Sequence, residues 1–179
     1  MARQLWLLRH ADAEPHGTRE DSERRLTERG ERQARLAGEA IALMGVEFEA
    51  LLSSPKERAL RTATVAAHAW SEQHREQLEV HAPLAEGFDA RQALAVMNAL
   101  PSRSRPAGEA APPVRVLLVG HEPDLSTVVA ELTGARIDLK KGGLAVVRID
   151  GPGGELLVLL RPSELALIAR GASVSAPAP

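Results

Sequence analysis

The chain has 179 residues and no cysteine. That excludes disulfides, thiolate metal sites and thiol nucleophiles, and it leaves the redox compartment open. Aromatic residues make up only 2% and tyrosine is absent, so the core has to be built from Leu, Val, Ile and Ala. The same scarcity removes the stacking platforms on which nucleic-acid modules rely. The formal net charge is −2 at neutral pH. Nothing therefore pulls the whole molecule toward nucleic acid or an anionic membrane, and any anion site must be a local cluster of positive charge. No apolar run reaches the ~18 residues of a membrane span, and the opening "MARQLWLLRH" meets charge too early for a secretory leader. The expectation is a cytoplasmic protein acting as a monomer, with no nucleic-acid or membrane partner.

What is present is an ordinary globular composition, 44% hydrophobic and 26% charged, in a chain long enough to bury a real core. Residues 1–170 read as a single domain, and the small, proline-rich residues 171–179 read as a frayed tail. Gln4 to Leu8 reads as a short buried strand. Residues 11–25 are polar and read as a loop. Thr27 is placed to cap a helix to about residue 44, with Ala34, Ala37, Ile41 and Met44 at helical spacing. Phe48 to Leu52 is a second strand. In "SSPKERALRTA", Ser54, Pro55 and Glu57 predict a capping box that opens a helix to about Trp70. A brief strand over Leu78 to His81 and a helix over 89–99 follow.

"PSRSRPAGEAAPP", residues 101–113, reads as a solvated loop. "VRVLLV", Val114 to Val119, is the clearest interior strand, ended by Gly120, with a helix from Pro123 to about Thr133. Leu144 to Ile149 and Leu156 to Leu160 flank "DGPGG" as a hairpin, and Ser163 is expected to cap a last helix. This order predicts an α/β protein: a three-layer α/β/α sandwich with a mostly parallel central sheet.

Ligands of such sheets bind beyond the carboxyl ends of the strands. Three strand ends carry polar residues: Arg9 and His10 after the first, Ser53 and Ser54 before the helix that carries Arg58, and Gly120 and His121 after "VLLV". Each alone is more economically a surface dipeptide, a solvated helix face or a structural histidine. Together they can converge on one sheet edge. Two planar, permanently charged guanidinium forks suit the oxygens of a phosphoryl group. A neutral imidazole can attack phosphorus, and a second can hydrogen-bond the equatorial oxygens during transfer. Such a site needs neither metal nor cofactor. A metal site made of His10, His121, Asp12 and Glu14 is the weaker reading, because the neighbouring arginines repel cations and the spacing matches no common zinc pattern.

These segments resemble the histidine phosphatase superfamily, the phosphoglycerate-mutase-like fold. The family's Arg-His-Gly stands here as Arg9-His10-Ala11, a replacement familiar in the SixA-like phosphohistidine phosphatase branch. "RRLTERGERQA", "LLSSPKERALRTA", "VLLVGHEPDLS" and "KKGGLAVV" follow in the order of that branch, so the resemblance covers nearly the whole chain. It implies a metal-independent phosphatase. His10 would be the phosphorylated nucleophile, and Arg9, Arg58 and His121 would line the phosphate pocket. The general acid is implied on "PLAEGFDA", as Glu86 with Asp89 as runner-up; Asp12 and Glu14 are the other carboxylates near the nucleophile. The substrate implied is protein phosphohistidine, with a small phosphorylated metabolite, or phosphate recognition without catalysis, as the other readings.

Overall fold

Leu5 and Leu7 face one side of the first strand and Trp6 and Leu8 the other, and all four are buried. A strand apolar on both faces belongs in the middle of a covered sheet. The computed structural model describes residues 3–70, 72–100 and 113–171, and in it β1 (Arg3–Arg9) is such a strand. The elements then run α1 (Glu28–Leu43), β2 (Ala50–Ser53), α2 (Glu57–Ala67), a short α3 (Glu72–Glu76), β3 (Leu78–Val80) and α4 (Ala90–Ala99). The second half adds β4 (Val114–Gly120), α5 (Asp124–Thr133), the hairpin β5 (Leu144–Asp150) and β6 (Gly153–Leu160), and α6 (Pro162–Gly171).

The sheet order is β3-β2-β4-β1-β5-β6. β3, β2, β4 and β1 are parallel neighbours, while β5 runs antiparallel to β1 and β6 antiparallel to β5. Two apolar layers flank the sheet. One joins Leu5, Leu7, Val116 and Leu118 to α4 and α5 through Met97, Leu125 and Val129. The other joins Trp6, Leu8, Leu117 and Val119 to α1, α2 and α6 through Ile41, Ala63 and Leu165. The three-layer α/β/α sandwich expected from the sequence is the observed architecture.

With few aromatics, the helices on the second face pack through small residues. A Cβ on Gly38 of α1 would lie 2.2 Å from the Ala66 carbonyl of α2, so only glycine admits that approach.

Four local expectations need correction. The Ser54 capping box does not form: α2 begins at Glu57, its N-cap is Lys56, and no side chain caps it. The Ser54 hydroxyl accepts the Lys56 N–H (3.2 Å) and faces His121 instead. The helix expected to reach Trp70 stops at Ala67. The hairpin strand expected from Leu156 begins at Gly153, because the turn needs only Gly151 and Pro152. Ser163 lies inside α6, and Glu164 turns back to the Arg161 N–H at the start of that helix. Nearly all of the loop at 101–113 and the tail after Gly171 lie outside the described residues. No helix among the described residues is long and apolar enough to cross a membrane.

Candidate active site

The register of β1 on β4 pairs Arg9 with Gly120. His10 and His121 each follow by one residue, so the two histidines leave the sheet level with each other on adjacent parallel strands. The His10 N–H donates to the Gly120 carbonyl (3.0 Å), which fixes that level, and the two rings lie 5.1 Å apart between centroids. Ser54 follows β2 in the same way, its N–H on the Val119 carbonyl (2.9 Å). That places the start of α2, and Arg58 on it, beside both histidines. His10, Arg58 and His121 are only 5%, 4% and 6% exposed.

Hydrogen bonds set the state of each ring. His10 Nδ1 sits 2.8 Å from the Ala11 carbonyl, which accepts only, so Nδ1 carries the proton. Nε2 then keeps its lone pair, which accepts from Arg58 Nε at 3.3 Å. Burial pushes the His10 pKa down to about 3, with Arg58, Arg9 and Lys141 lowering it further against the Ala11 bond. His121 is also pushed down to about 3, by burial and then by His10 and Arg58. Its Nε2 lies 2.8 Å from the Ser54 hydroxyl, and its Nδ1 is buried with no partner among the described residues.

Arg9 is held from the opposite side. Its Nη1 donates to the Leu139 carbonyl (2.8 Å), and the Gly142 N–H donates to the carbonyls of Arg9 and His10. The loop after α5 thus fastens the end of β1. Arg9 Nε is buried and unpartnered. Thr62, fully buried, ties the segment after β1 to α2: its hydroxyl donates to the Arg58 carbonyl (2.6 Å) and accepts the Ala11 N–H (3.0 Å).

These groups line a cavity of about 510 Å³. Glu86 lines it too, just beyond the turn Ala82–Ala85. Its three rivals are engaged elsewhere. Asp89 caps α4 through a capping box with Gln92. Asp12 accepts from Thr27 and Lys141. The Glu14 carboxylate accepts from Arg19 and the Arg25 N–H, although the residue lies at the cavity edge. The four residues of the metal reading therefore do not converge, and no group of three or more His, Asp or Glu among the described residues is placed to hold a metal ion.

The sequence reading missed the cavity's other wall. Asp21, in a short turn of the loop after β1, accepts from Lys56 (3.0 Å) and Arg58 (3.2 Å) and pairs with Arg24 (2.9 Å). The hydrogen bond from Lys56, opposed by partial burial and aided by Arg58, holds its carboxyl well below the usual carboxylate range. Glu122 was missed as well. It lines the cavity with Oε1 buried and unpartnered, and burial raises its pKa. The loop carrying Asp21 has no periodicity to reveal it, whereas Glu122 stands beside His121 in "GHEPD" and was overshadowed by it.

Chemically, the cavity offers a neutral imidazole nitrogen with its lone pair, the guanidinium groups of Arg9 and Arg58 beside it, and three buried polar atoms without partners among the described residues: Arg9 Nε, His121 Nδ1 and Glu122 Oε1. Two of those three are cationic or able to donate, which suits an oxyanion.

Comparison with known proteins agrees in kind. The profile of the histidine phosphatase superfamily (branch 1) matches residues 5–94. An uncharacterised protein of Picosynechococcus is 33% identical over 150 residues, covering 81% of this chain and 84% of its own. The solved structure of the protein histidine phosphatase SixA complexed with tungstate superposes with a TM-score of 0.74 at 27% identity, covering 90% of this chain and 99% of that one. A phosphoserine phosphatase from Entamoeba histolytica shares the fold at 15% identity, with a TM-score of 0.66 over 91% of this chain and 99% of that one.

Proposed function

This chain belongs to the histidine phosphatase superfamily, and from that premise we propose that it is a metal-independent phosphatase working through a phospho-His10 intermediate on protein phosphohistidine. The observation that carries the reading is the state of His10: proton on Nδ1, lone pair on Nε2, imidazole neutral, with Arg58 and Arg9 beside it in the cavity.

In the first step Nε2 attacks phosphorus. A new N–P bond forms as the bond to the leaving imidazole breaks, and the leaving nitrogen takes a proton. Arg9, Arg58 and the Nδ1–H of His121 hold the phosphoryl oxygens as their charge redistributes. Water then attacks phosphorus, releasing orthophosphate and restoring His10. Glu86 is the acid of this reading: it lines the cavity, and the carboxylates weighed against it, Asp89, Asp12 and Glu14, are engaged in other hydrogen bonds, while Glu122 is a further carboxylate of the same lining, with Oε1 buried. A positioned acid contributes about 10²–10⁴-fold. An alkoxide needs that help badly, whereas a protonated imidazole leaves readily. The reading therefore ranks phosphohistidine above phosphate esters, and a cytoplasmic setting goes with it.

The test is rapid quenching with a ³²P-phosphohistidine protein. Label should appear on the chain in acid-labile, alkali-stable form, and His10→Ala should carry none and turn over at least ~10³-fold more slowly. Parent-like turnover by His10→Ala would overturn the mechanism. Faster turnover of sugar or nucleotide phosphates than of phosphohistidine would overturn the substrate, in favour of a small-molecule phosphomonoesterase.

A further inference from the structure

A second cavity of about 650 Å³ adjoins the first, and Arg9 and Lys141 line both. It lies between α1 and α6, which pack against each other, and the loop after α5 closes its third side. Its lining is lopsided. Arg29 and Arg32 come from α1, Lys140 and Lys141 from the loop, and Arg161 and Arg170 from the two ends of α6; with Arg9 that makes seven cations, against Asp12 as the single carboxylate in the lining. Three of the seven are ion-paired, and the charges of Arg29 and Arg161 are felt by Asp12 and Asp138, so the cavity keeps an excess of cations rather than a full set of free ones. Lys141 pairs with Asp12 (3.2 Å), Lys140 with Asp138, and Arg32 only loosely with Glu28 (3.9 Å). Arg29, Arg161 and Arg170 are exposed, with no ion-pair partner among the described residues. In a molecule whose overall charge is −2, this concentration is local and lies beside the nucleophile.

The rest of the lining narrows the choice of ligand. Leu36, Pro162 and Ala166 are the apolar members of the lining and are half-buried, while Arg29, Arg32, Lys140, Arg161 and Arg170 are exposed. A compact inorganic anion favours buried, convergent donors, as the first cavity provides. An open groove with half-buried apolar members and long, exposed guanidinium groups instead matches an extended polypeptide: its backbone and aliphatic stems lie on the apolar members while its carboxylates meet the cations. Exposed charges of this kind steer and orient a partner more than they tighten it.

We propose that this groove docks an acidic segment of the protein substrate, flanking the phosphorylated histidine that enters the first cavity. The proposal rests on the substrate reading above for its biological sense, but its binding test does not. The probe is a fluorescein-labelled, unphosphorylated Asp/Glu-rich peptide, titrated into the full chain and followed by anisotropy. Binding is expected to weaken as salt rises, and about tenfold or more in Arg29→Glu/Arg170→Glu. Arg29→Lys/Arg170→Lys should restore most of it, and circular dichroism with urea midpoints checks that both variants fold. Catalysis supplies a second readout: the ratio of kcat/KM between phosphohistidine peptides with Glu-rich and with Lys-rich flanks. That ratio should favour Glu in the parent and collapse toward unity in the charge-reversed chain. Unchanged peptide affinity in Arg29→Glu/Arg170→Glu would overturn the proposal. So would tripolyphosphate binding that depends on these arginines while the peptide does not bind. Peptide binding that depends on the arginines, with no phosphohistidine turnover in any context, would support the groove and sink the substrate reading instead.

Discussion

At the scale of single residues, the site is defined by two buried imidazoles held neutral. Both His10 and His121 titrate near 3 in the fold against an ordinary 6.5. The unfolded chain therefore binds protons first as pH falls. Each histidine contributes stability that is fully present above about pH 6.5 and is lost progressively as pH falls toward 3. The slope is at most about 1.4 kcal/mol per pH unit for each. Urea unfolding at pH 7 and pH 5 spans the upper part of this window, and the doubly substituted chain separates the two histidines from other titrating groups such as Glu122. The parent should be clearly less stable at pH 5, and His10→Gln/His121→Gln should flatten that difference; an equal loss in both chains would show that the rings are not held neutral by the fold. Asp21 works in the same sense, because Lys56 and Arg58 stabilise its charged form: its contribution is present above the ordinary value of 3.8 and is lost only as pH falls below it, at the low end of the histidine window.

At the scale of elements, Asp89 and Glu86 stand three residues apart and have different duties. Asp89 closes the capping box of α4, while Glu86 lines the catalytic cavity. Asp89→Ala should cost about 1 kcal/mol of stability and leave kcat on an alkyl phosphate within about twofold. Glu86→Gln should lower that kcat by about 10²–10⁴-fold with little change in the urea midpoint. The reverse pattern would exchange the two roles. The same segment shows what the sequence made legible. Continuous apolar runs such as "LWLL" and "VLLV" mark buried parallel strands, so the positions of Arg9 at the end of β1 and of His10 and His121 just past strand ends could be read directly. Thr27 was legible as an N-cap because its bond to the Gly30 N–H is local. Ser54 was not, because a long-range partner, His121, outcompeted the local pattern. Asp21 and the basic groove arise where the loop after β1 meets α2 and where α1 meets α6, and no periodicity within one segment reports such meetings.

At the scale of the whole molecule, the modest net charge of −2 conceals a cationic groove, and two of its cations, Arg9 and Lys141, also line the histidine cavity beside Arg58. Orthophosphate should therefore bind the folded chain in preference to the unfolded one. At 100 times its dissociation constant it should add about 2.7 kcal/mol of stability, seen as a rise in Tm that shrinks with added salt. Arg58→Ala should abolish most of that rise, and a phosphate-insensitive Tm in the parent would argue against an oxyanion pocket. The sheet order has a consequence in the time domain. β1 is the first strand synthesised, yet its neighbours are β4 and β5, and its first partner Val114 lies 111 residues downstream of Arg3. A nascent chain that has emerged only as far as α4 already carries Arg9, His10 and Arg58. It lacks His121, however, and the strand that fixes the level of His10. His10 is then solvated and titrates like an ordinary histidine. The site as a whole is complete only once β4 lies between β2 and β1, so its assembly waits for the second half of the chain.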